Sequence, residues 1–507
     1  MHSQGNIFSY VALFSWIPMA LWVARQWPPA KAAALLILIP LMFLPQRIEL
    51  MLPGVPDLDK LRIAILLMLI AVLLFHRQRL ATVRLDKSVK LAILAMLGGG
   101  VLTMLLNTDP ISDGAVYLAS HRPYDAVHSL LINMLDYVLP FVLAVAMFNG
   151  PKDLRVFFRV LVGAALAYSI LQIVEMVMSP QLHFWVYGFY QHTFGQTVRG
   201  GSYRPMVFMS HGLSVAMFTV AGILAAAGMY KTKLRLFPIP LGWASAYVGV
   251  YRSRAGAFRI PAGWAMVYLW IILFLSKSVA AFLYTLVAVP LVLLASPKTQ
   301  FRVAAVLAVI VLLYPDARDS GLVPVDDIRE WVGSQYGEDK VGSVMMRFDN
   351  EELLLARANE RSFFGWGTYC RRCIHDPLTG EPTSVTDGDW IKTWGKFGRV
   401  GFYAKYILLL LPIFLAGRRL KYVRRMSDRR LLSALAVILG FSIFNLVPNS
   451  EFNYLVFVFS GVLMGCSEGI LRHQAWQAAL QKERSTARQI AVRSPGDGSA
   501  PHALARS

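Results

Sequence analysis

"MVFMSHGLSVAMFTVAGILAAAGMY", residues 206–230, decides the fold class, because these 25 consecutive residues include no acidic residue, lysine or arginine. About 20 apolar residues in an α-helix cross the hydrocarbon core of a bilayer, which is roughly 30 Å thick. Similar runs recur through the chain, which has 507 residues, is 56% hydrophobic and has a mean hydropathy of +0.51. They are solid runs, whereas barrel strands alternate apolar and polar residues in segments of about 10. The sequence therefore predicts an all-α polytopic integral membrane protein.

The apolar runs predict about thirteen transmembrane helices, with a range of 12–14. We place them near 6–24, 32–46, 60–76, 88–106, 128–149, 154–178, 206–229, 261–275, 278–295, 302–315, 401–417, 431–449 and 453–471. One further stretch, "LFPIPLGWASAYVGV" at 236–250, is apolar but contains two prolines and has basic residues at both ends. This pattern is more typical of a re-entrant or interfacial segment than of a full span.

Basic clusters lie between these helices, and with these helices every cluster falls on the same side of the membrane. The positive-inside rule makes that side cytoplasmic, so the N-terminus is predicted to be periplasmic and the C-terminus cytoplasmic. The net charge of +20 at pH 7 is explained by this arrangement and does not indicate binding to nucleic acid.

The predicted topology divides the chain into four parts. Residues 1–315 hold helices 1–10, 316–400 form one large periplasmic loop, 401–471 hold helices 11–13, and 472–507 form a basic cytoplasmic tail. The tail is polar and has no apolar periodicity, so we predict that it is disordered. We find no internal repeat of the kind that indicates the inverted halves of many transporters.

The loop at 316–400 is acidic within a basic protein, with fifteen of the 30 acidic residues against eleven basic ones. It is also rich in aromatic residues and glycine, and "DNEELLLARANE" at 349–360 has the pattern of an amphipathic helix. Loops of this length are usually functional or disordered. The predicted helix favours a function.

Several basic residues of the predicted outer face suit an anionic ligand: Arg204, Lys277, Arg347 and Arg361. An arginine guanidinium holds a phosphate or diphosphate through two charge-assisted hydrogen bonds. His211 lies seven residues after Arg204, close to the same helix face, and is a candidate to bind substrate. As alternatives, Arg204 and Lys277 extend to lipid head groups, and His211 is a buried hydrogen-bonding residue.

The motif "VTDGDW" supplies two carboxylates, Asp387 and Asp389. A carboxylate beside bound diphosphate can remove the proton of an attacking hydroxyl, which is general-base catalysis. Either residue also suits the cap of a helix that begins near Trp390. The aromatic side chains of Trp366, Tyr369 and Trp390 are expected either to stack on sugar rings or to anchor the loop at the membrane interface.

Two of the three cysteines lie close together in "CRRC". A structural zinc site usually needs four ligands, and the loop has no second Cys or His pair, so we predict no metal site. In an oxidising exterior the pattern favours a local disulfide between Cys370 and Cys373. Cys466 is expected to pack within a helix, and the charged pair Arg371 and Arg372 to be solvated.

Four motifs follow one another in order: "YRPMVFMSHG", "SKSVAAF", "RFDNEELLLARANERSFFGWG" and "TDGDWIKTWGKFGRVGF". Over roughly 200–415 the chain resembles the superfamily of O-antigen ligases and O-antigen or exopolysaccharide repeat-unit polymerases. Members have an Arg before a helix with a His, a Ser-Arg between later helices, an Arg-bearing loop helix, a glycine turn, and a His or Asp before an apolar helix. The matching positions are Arg204, His211, Ser276, Lys277, Arg347, 364–367, Asp387, Gly398 and Gly401.

The resemblance implies a GT-C-like glycosyltransferase of the bacterial inner membrane that uses no metal, cofactor or nucleotide sugar. It implies that a glycan passes from undecaprenyl diphosphate to an acceptor hydroxyl at the periplasmic face. Asp387 stands where ligases carry His, which favours a polymerase whose acceptor is a second lipid-linked repeat unit. A ligase acting on lipid A core and a non-catalytic transporter or flippase remain alternatives. A chain-length regulator and a separate flippase are the partners implied.

Overall fold

The computed structural model describes residues 5–199, 201–236, 260–336, 338–451 and 453–493. Within these ranges, eight helices are long and apolar enough to cross a membrane, and three shorter helices are also apolar. The chain is therefore a multi-pass, all-α membrane protein. The segment 236–250, predicted to be re-entrant or interfacial, lies outside the described residues from position 237 onward.

Each apolar run predicted to be helical contains a helix in the structure, although the run at 206–229 becomes helical only at Gly212. The helices before position 237 are α1 (Ile7–Gln26), α2 (Pro29–Phe43), α3 (Lys60–Phe75), α4 (Arg77–Ala81), α5 (Lys87–Leu105), α6 (Pro123–Asn133), α7 (Leu139–Met147), α8 (Pro151–Met178), α9 (Leu182–Tyr187) and α10 (Gly212–Lys231). A π-helical turn, Met134–Val138, joins α6 to α7. Two short antiparallel hairpins, β1 (Ile111–Asp113) with β2 (Val116–Leu118) and β3 (Val198–Arg199) with β4 (Ser202–Tyr203), lie in the connections.

The helices from position 260 onward include both membrane helices and the helices of the long loop. They are α11 (Ala262–Leu275), α12 (Val279–Leu294), α13 (Pro297–Asp319), α14 (Val325–Tyr336), α15 (Glu338–Asn359), α16 (Asp389–Arg419), α17 (Met426–Asn445) and α18 (Asn453–Arg493). Helices α14 and α15 pack on each other, and α15 packs on α16. We call the end of the bundle that carries them the loop end.

Helix α10 lies at the centre of the bundle and is buried on nearly every face. It packs against α8, α11, α12 and α17. Small residues allow this close approach: a Cβ added at Gly222 would lie 2.5 Å from Ala165, and one at Gly228 would lie 2.9 Å from Ala434. Membrane helices associate through small residues because lipid tails provide no hydrophobic force between helices. The run that decides the fold class is therefore the most enclosed helix of the bundle.

The last helix, α18, continues to Arg493, so residues 472–493 are helical and not disordered as predicted. The sequence "LRHQAWQAALQKERSTARQIAVR" contains neither Gly nor Pro and is rich in good helix formers. It also extends an existing membrane helix, which removes the cost of nucleation. Residues 494–507 of the predicted tail lie outside the described residues.

Helix α16 is folded back on itself. Residues 16 apart in a straight helix are separated by about 24 Å along its axis, yet Lys405 Nζ lies 2.7 Å from Asp389 Oδ2. The rings of Trp394 and Phe402 are also in contact, with centroids 5.3 Å apart. The bend is at Gly398, which has φ 63° and ψ −164°. We call residues 389–397 the short arm and 399–419 the long arm.

Candidate functional site

The glycine turn of the loop is bonded directly to the bend of α16. Trp366 N donates to Gly395 O at 2.9 Å and Gly367 N to Lys396 O at 2.9 Å. On the other side of the bend, Val400 N donates to Phe363 O at 3.1 Å. A Cβ at Gly365 would lie 2.6 Å from the Gly398 nitrogen. The motifs "SFFGWG" and "GKFGRVG" therefore form one unit that fixes the loop to the bundle.

Asp389, predicted as a catalytic residue or cap, is instead the buried partner of a lysine. Its carboxylate accepts from Lys405 Nζ at 2.9 and 2.7 Å and from the Tyr406 hydroxyl at 2.9 Å. The side chain of Lys405 also lies out of solvent. The structure corrects the prediction, since this ion pair joins the two arms of α16 and does not expose a base. No sequence pattern indicates this pair, because the partners meet only when the helix bends at Gly398.

The short arm brings two further lysines to one face, because positions 389, 392 and 396 are spaced three and four residues apart. Lys392 donates to Ser450 Oγ at 2.5 Å, and the Lys396 ammonium lies 4.9 Å from the centre of the Phe397 ring. Both lysines are within electrostatic range of Arg372 from the loop. We call Arg372, Lys392 and Lys396 the cationic cluster.

The cationic cluster carries charge that direct ion pairs do not neutralise in the described part of the chain. Arg372 donates to Cys373 Sγ, so its contact, like those of the two lysines, is to an uncharged group. The nearby Arg62 differs, since it holds Asp136 through two bonds of 2.8 and 2.9 Å. Burial lowers the pKa of Arg372, which marks a guanidinium removed from water.

Arg371 and Arg372 are therefore not solvated as predicted. The Arg371 side chain is fully buried and donates to Ala119 O at 2.8 Å. The neighbouring cysteines, Cys370 and Cys373, form a disulfide, which closes the turn containing both arginines. Within the "CRRC" turn, Arg371 is thus buried beneath the loop, whereas the Arg372 side chain lies against the short arm.

Arg347 and Asp387, both predicted site residues, form an ion pair with Nε 3.0 Å from Oδ2. Their side chains are 53% and 40% exposed, and both line a cavity of about 230 Å³. The cavity lies between α15, the extended segment before α16, and the residues after α17. Its other walls include Tyr314, Phe348, Glu351, Leu354, Ile391 and Pro448.

Glu351 is a cavity residue that the sequence did not single out. One carboxylate oxygen accepts from Trp390 Nε1 at 3.2 Å and the other from the Tyr314 hydroxyl at 3.3 Å. Burial raises the pKa of this carboxyl above its ordinary value. Trp390 is itself fully buried, which rules out the predicted stacking on a sugar ring. Its indole nitrogen instead helps to orient the Glu351 carboxylate.

Arg361, Trp366 and Tyr369 lie away from the cavity, where they attach the loop to the connection between α5 and α6. Arg361 bonds to Asn107 and Asp109, at 2.6 Å each. The Trp366 ring is buried under two guanidiniums, at 3.7 and 4.5 Å from its centroid. The predicted diphosphate and sugar contacts of these two residues are therefore replaced by contacts within the protein.

Tyr369 differs from Trp366 because it is 54% exposed. Its hydroxyl donates to Asp125 at 2.6 Å, and its ring stacks on His121 with centroids 5.2 Å apart. The hydrogen bond to the carboxylate raises the pKa of Tyr369 to about 12. Tyr369 thus has a fixed orientation at the protein surface, where its hydroxyl is already bonded to Asp125.

His211 lies just before α10 and caps it, whereas the predicted helix placed it inside. Its Nδ1 accepts from Leu213 N at 3.0 Å, and its ring packs against His192 with centroids 4.8 Å apart. Arg204 is mostly buried, and its side chain lies against Gly212. Arg204 and His211 are therefore neighbours, although not on one helix face as predicted.

A second missed carboxylate, Glu451, connects these residues to the short arm. It accepts from Ser210 Oγ at 2.6 Å and Ser214 Oγ at 3.3 Å. Lys392 lies within electrostatic range of both Glu451 and Asp387. The candidate site thus extends across the loop end, from the Arg347 ion pair through Lys392 to the start of α10.

Lys277 is exposed in the turn between α11 and α12, with φ 57°. Within the described residues its side chain contacts none of the site residues above. Lys392 and Lys396 were missed because their apolar surroundings suggested an ordinary helix start. The available signal was their position, since ionisable residues in membrane helices usually face the bundle interior and are functional.

The candidate site consists of the cationic cluster beside a small cavity with two carboxylates. Such a cluster can hold a polyanion, and either carboxylate is suited to accept a proton. A search against models of known protein families finds no match, and a search of curated proteins finds no significant match.

Proposed function

We propose that the chain is a membrane glycosyltransferase that transfers a glycan from undecaprenyl diphosphate to the hydroxyl of a second lipid-linked repeat unit. The observation that carries the proposal is the cationic cluster of Arg372, Lys392 and Lys396 beside the cavity of Asp387 and Glu351. The motif order described above adds the lipid-linked donor and the polymerase type. The same resemblance gives the expected location, the periplasmic face of the bacterial inner membrane.

The cationic cluster suits a diphosphate leaving group. Negative charge develops on the diphosphate as its bond to the sugar breaks, so fixed positive groups lower the barrier. They act more strongly where water is excluded, and all three cluster side chains are at least half-buried. In this account the cluster takes the role that the sequence assigned to Arg361, while Arg204 lies against Gly212 at the start of α10.

The acceptor hydroxyl is bound at the cavity. Its oxygen attacks the anomeric carbon of the donor glycan, and the bonding electrons to the diphosphate oxygen leave with the diphosphate. The hydroxyl proton passes to a carboxylate of the cavity, which later releases it to water. Arg347, held by Asp387, is placed to bind acceptor oxygens or the diphosphate.

The test is elongation by the purified chain in lipid vesicles supplied with lipid-linked repeat units. Wild type should produce a ladder of longer glycans. Lys392→Ala should reduce the rate at least tenfold, because one positive charge that stabilises the leaving diphosphate is removed. Lys421→Ala is the matched control, since Lys421 is exposed at the opposite end of the bundle and should elongate like wild type.

A wild-type chain that moves lipid-linked glycans across the vesicle membrane without lengthening them would contradict the proposal and indicate a flippase. Glycan transfer only to lipid A core would indicate a ligase. Equal elongation by Lys392→Ala and wild type would reject the cationic cluster as the diphosphate site.

A further inference from the structure

The two carboxylates of the cavity differ in their surroundings. Asp387 is 40% exposed and one of its oxygens is bound by the Arg347 guanidinium. Glu351 lies deeper, where its oxygens accept one bond each from the buried Trp390 and from Tyr314. Each carboxylate oxygen can accept a further bond, so both oxygens of Glu351 keep capacity for a ligand hydroxyl.

The cavity also limits what such a ligand can be. Pockets for drug-sized molecules enclose about 300–1,000 Å³, so a volume of about 230 Å³ fits a single sugar unit. Most of its walls are apolar, among them Phe348, Leu354, Ile391 and Pro448. Two acids in the same space disfavour an anionic sugar. The chemistry fits a neutral sugar with an apolar face, such as a deoxy or acetamido sugar.

The backbone around the cavity is held in place. Val385 N donates to the side-chain oxygen of Asn350 at 3.0 Å, which ties the extended segment to α15. Asp389 N donates to Leu446 O at 2.9 Å, which ties the start of α16 to the end of α17. Glu351 is therefore oriented before any ligand binds, as preorganised catalysis requires.

We propose that Glu351 is the catalytic base, which accepts the proton of the acceptor hydroxyl, and that Asp387 positions Arg347. This inference rests on the proposed glycosyl transfer and specifies the proton acceptor within it. The O–H bond of the acceptor breaks as its proton moves to Glu351. The oxygen forms the new glycosidic bond, and the old bond breaks with its electrons passing to the diphosphate.

Several titratable groups face Glu351. They come from α13, α15 and the extended segment: Tyr314, Arg318, Arg347 and Asp387. Burial is the main cause of the raised pKa of Glu351 and the Asp387 carboxylate adds to it, whereas the hydrogen bonds from Trp390 and Tyr314 and the charge of Arg318 lower it. A base is most effective when its pKa lies close to the working pH. Glu351 is thus a better proton acceptor near neutral pH than an ordinary exposed glutamate.

The test is elongation by Glu351→Gln, which keeps the shape of the side chain but cannot accept the proton. General bases contribute about 10²–10⁴-fold, so kcat should fall at least 100-fold while KM for the acceptor changes less than threefold. The matched control is Glu352→Gln, because Glu352 is the next residue of α15 and its side chain is 75% exposed. It should retain at least half of the wild-type kcat.

The pH profile provides a measurement that does not depend on a variant. Wild-type kcat should fall on the acidic side as Glu351 becomes protonated, with a midpoint above pH 4.5. Half or more of the wild-type kcat in Glu351→Gln, or a wild-type profile without an acidic limb, would overturn Glu351 as the base. If the wild-type chain elongates glycans, either of these results rejects only the role of Glu351 and not glycosyl transfer. If the wild-type chain does not elongate glycans, the proposed function itself is rejected.

Discussion

At the scale of single residues, the site depends on where each charge is buried. Asp387 and Glu351 line the same cavity, yet one is paired with a guanidinium and the other is held by neutral donors. Lys392 and Lys396 have carboxylates within electrostatic range but make their direct contacts to Ser450 and Phe397, whereas Lys405 pairs with Asp389 directly. A lysine therefore stabilises the bend of α16 at position 405, whereas at positions 392 and 396 it is proposed to bind the diphosphate.

The burial of Glu351 predicts a pH-dependent difference in stability between wild type and Glu351→Gln. The pKa of this carboxyl is raised from 4.5 on folding, so the native state binds more protons than the unfolded state above that pH. The stability that protonation supplies is complete below about pH 4.5 and is lost as the pH rises through the raised value. Gln does not titrate.

The Tm of Glu351→Gln minus that of wild type should therefore increase from pH 4 to pH 8, as measured by thermal unfolding in detergent. The comparison uses the pH trend, so a constant loss from altered hydrogen bonds does not affect it. Glu352→Gln is the control and should give a smaller trend. A flat difference for Glu351→Gln would show that the carboxyl titrates normally in the folded chain.

The residues of the site were predictable only in part. Arg347 and Asp387 were identified because each belongs to a recognisable motif of one loop. Trp366 and Trp390 were identified by type, but their burial follows from packing partners that lie far away in sequence. Glu351 was hidden within an amphipathic helix, because periodicity predicts the helix and not which of its polar residues the rest of the fold covers.

At the scale of elements, the bend of α16 creates the site. In a straight helix, Asp389 and Lys392 would lie about 20 Å or more from Lys405 along the helix axis, beyond the end of the bundle. The bend instead folds the short arm beside the long arm, so that the cationic cluster lies next to the cavity. The glycine turn of the loop is bonded to both sides of this bend.

Gly398→Ala is expected to destabilise the protein and to lower elongation. A side chain at φ 63° and ψ −164° costs about 1–3 kcal/mol, and its Cβ would also contact the backbone of Phe363. The matched control is Gly163→Ala in α8, where an added Cβ meets nothing within 4 Å. Thermal unfolding should show a clear loss for the first variant and none for the second. Equal Tm values would contradict the bend described here.

At the scale of the whole molecule, the sequence predicted the membrane class and the positions of the apolar helices. It predicted a helix start near Trp390 but not the bend at Gly398, because the bend depends on contacts with the glycine turn of the loop. It also missed the helical extension to Arg493, because polar composition alone does not separate a solvated helix from a disordered tail. Hydropathy reports neither a bend within a helix nor a solvated helix.

The predicted orientation can be tested by labelling with a membrane-impermeant maleimide in intact cells. Leu378→Cys should react, because Leu378 is 88% exposed at the loop end, which the positive-inside rule places outside. Lys421→Cys, at the opposite end of the bundle, should react only after the membrane is permeabilised. The native cysteines should stay silent, since Cys466 is buried and the other two are joined. The reverse labelling pattern would show that the chain has the opposite orientation in the membrane.

The central claim is that this chain forms a glycosidic bond at the expense of a lipid diphosphate. The most direct measurement counts both products in one reaction, using purified chain and lipid-linked repeat units. We expect one free undecaprenyl diphosphate for each new bond between repeat units. Diphosphate release without glycan growth, or no release by the wild-type chain, would contradict it.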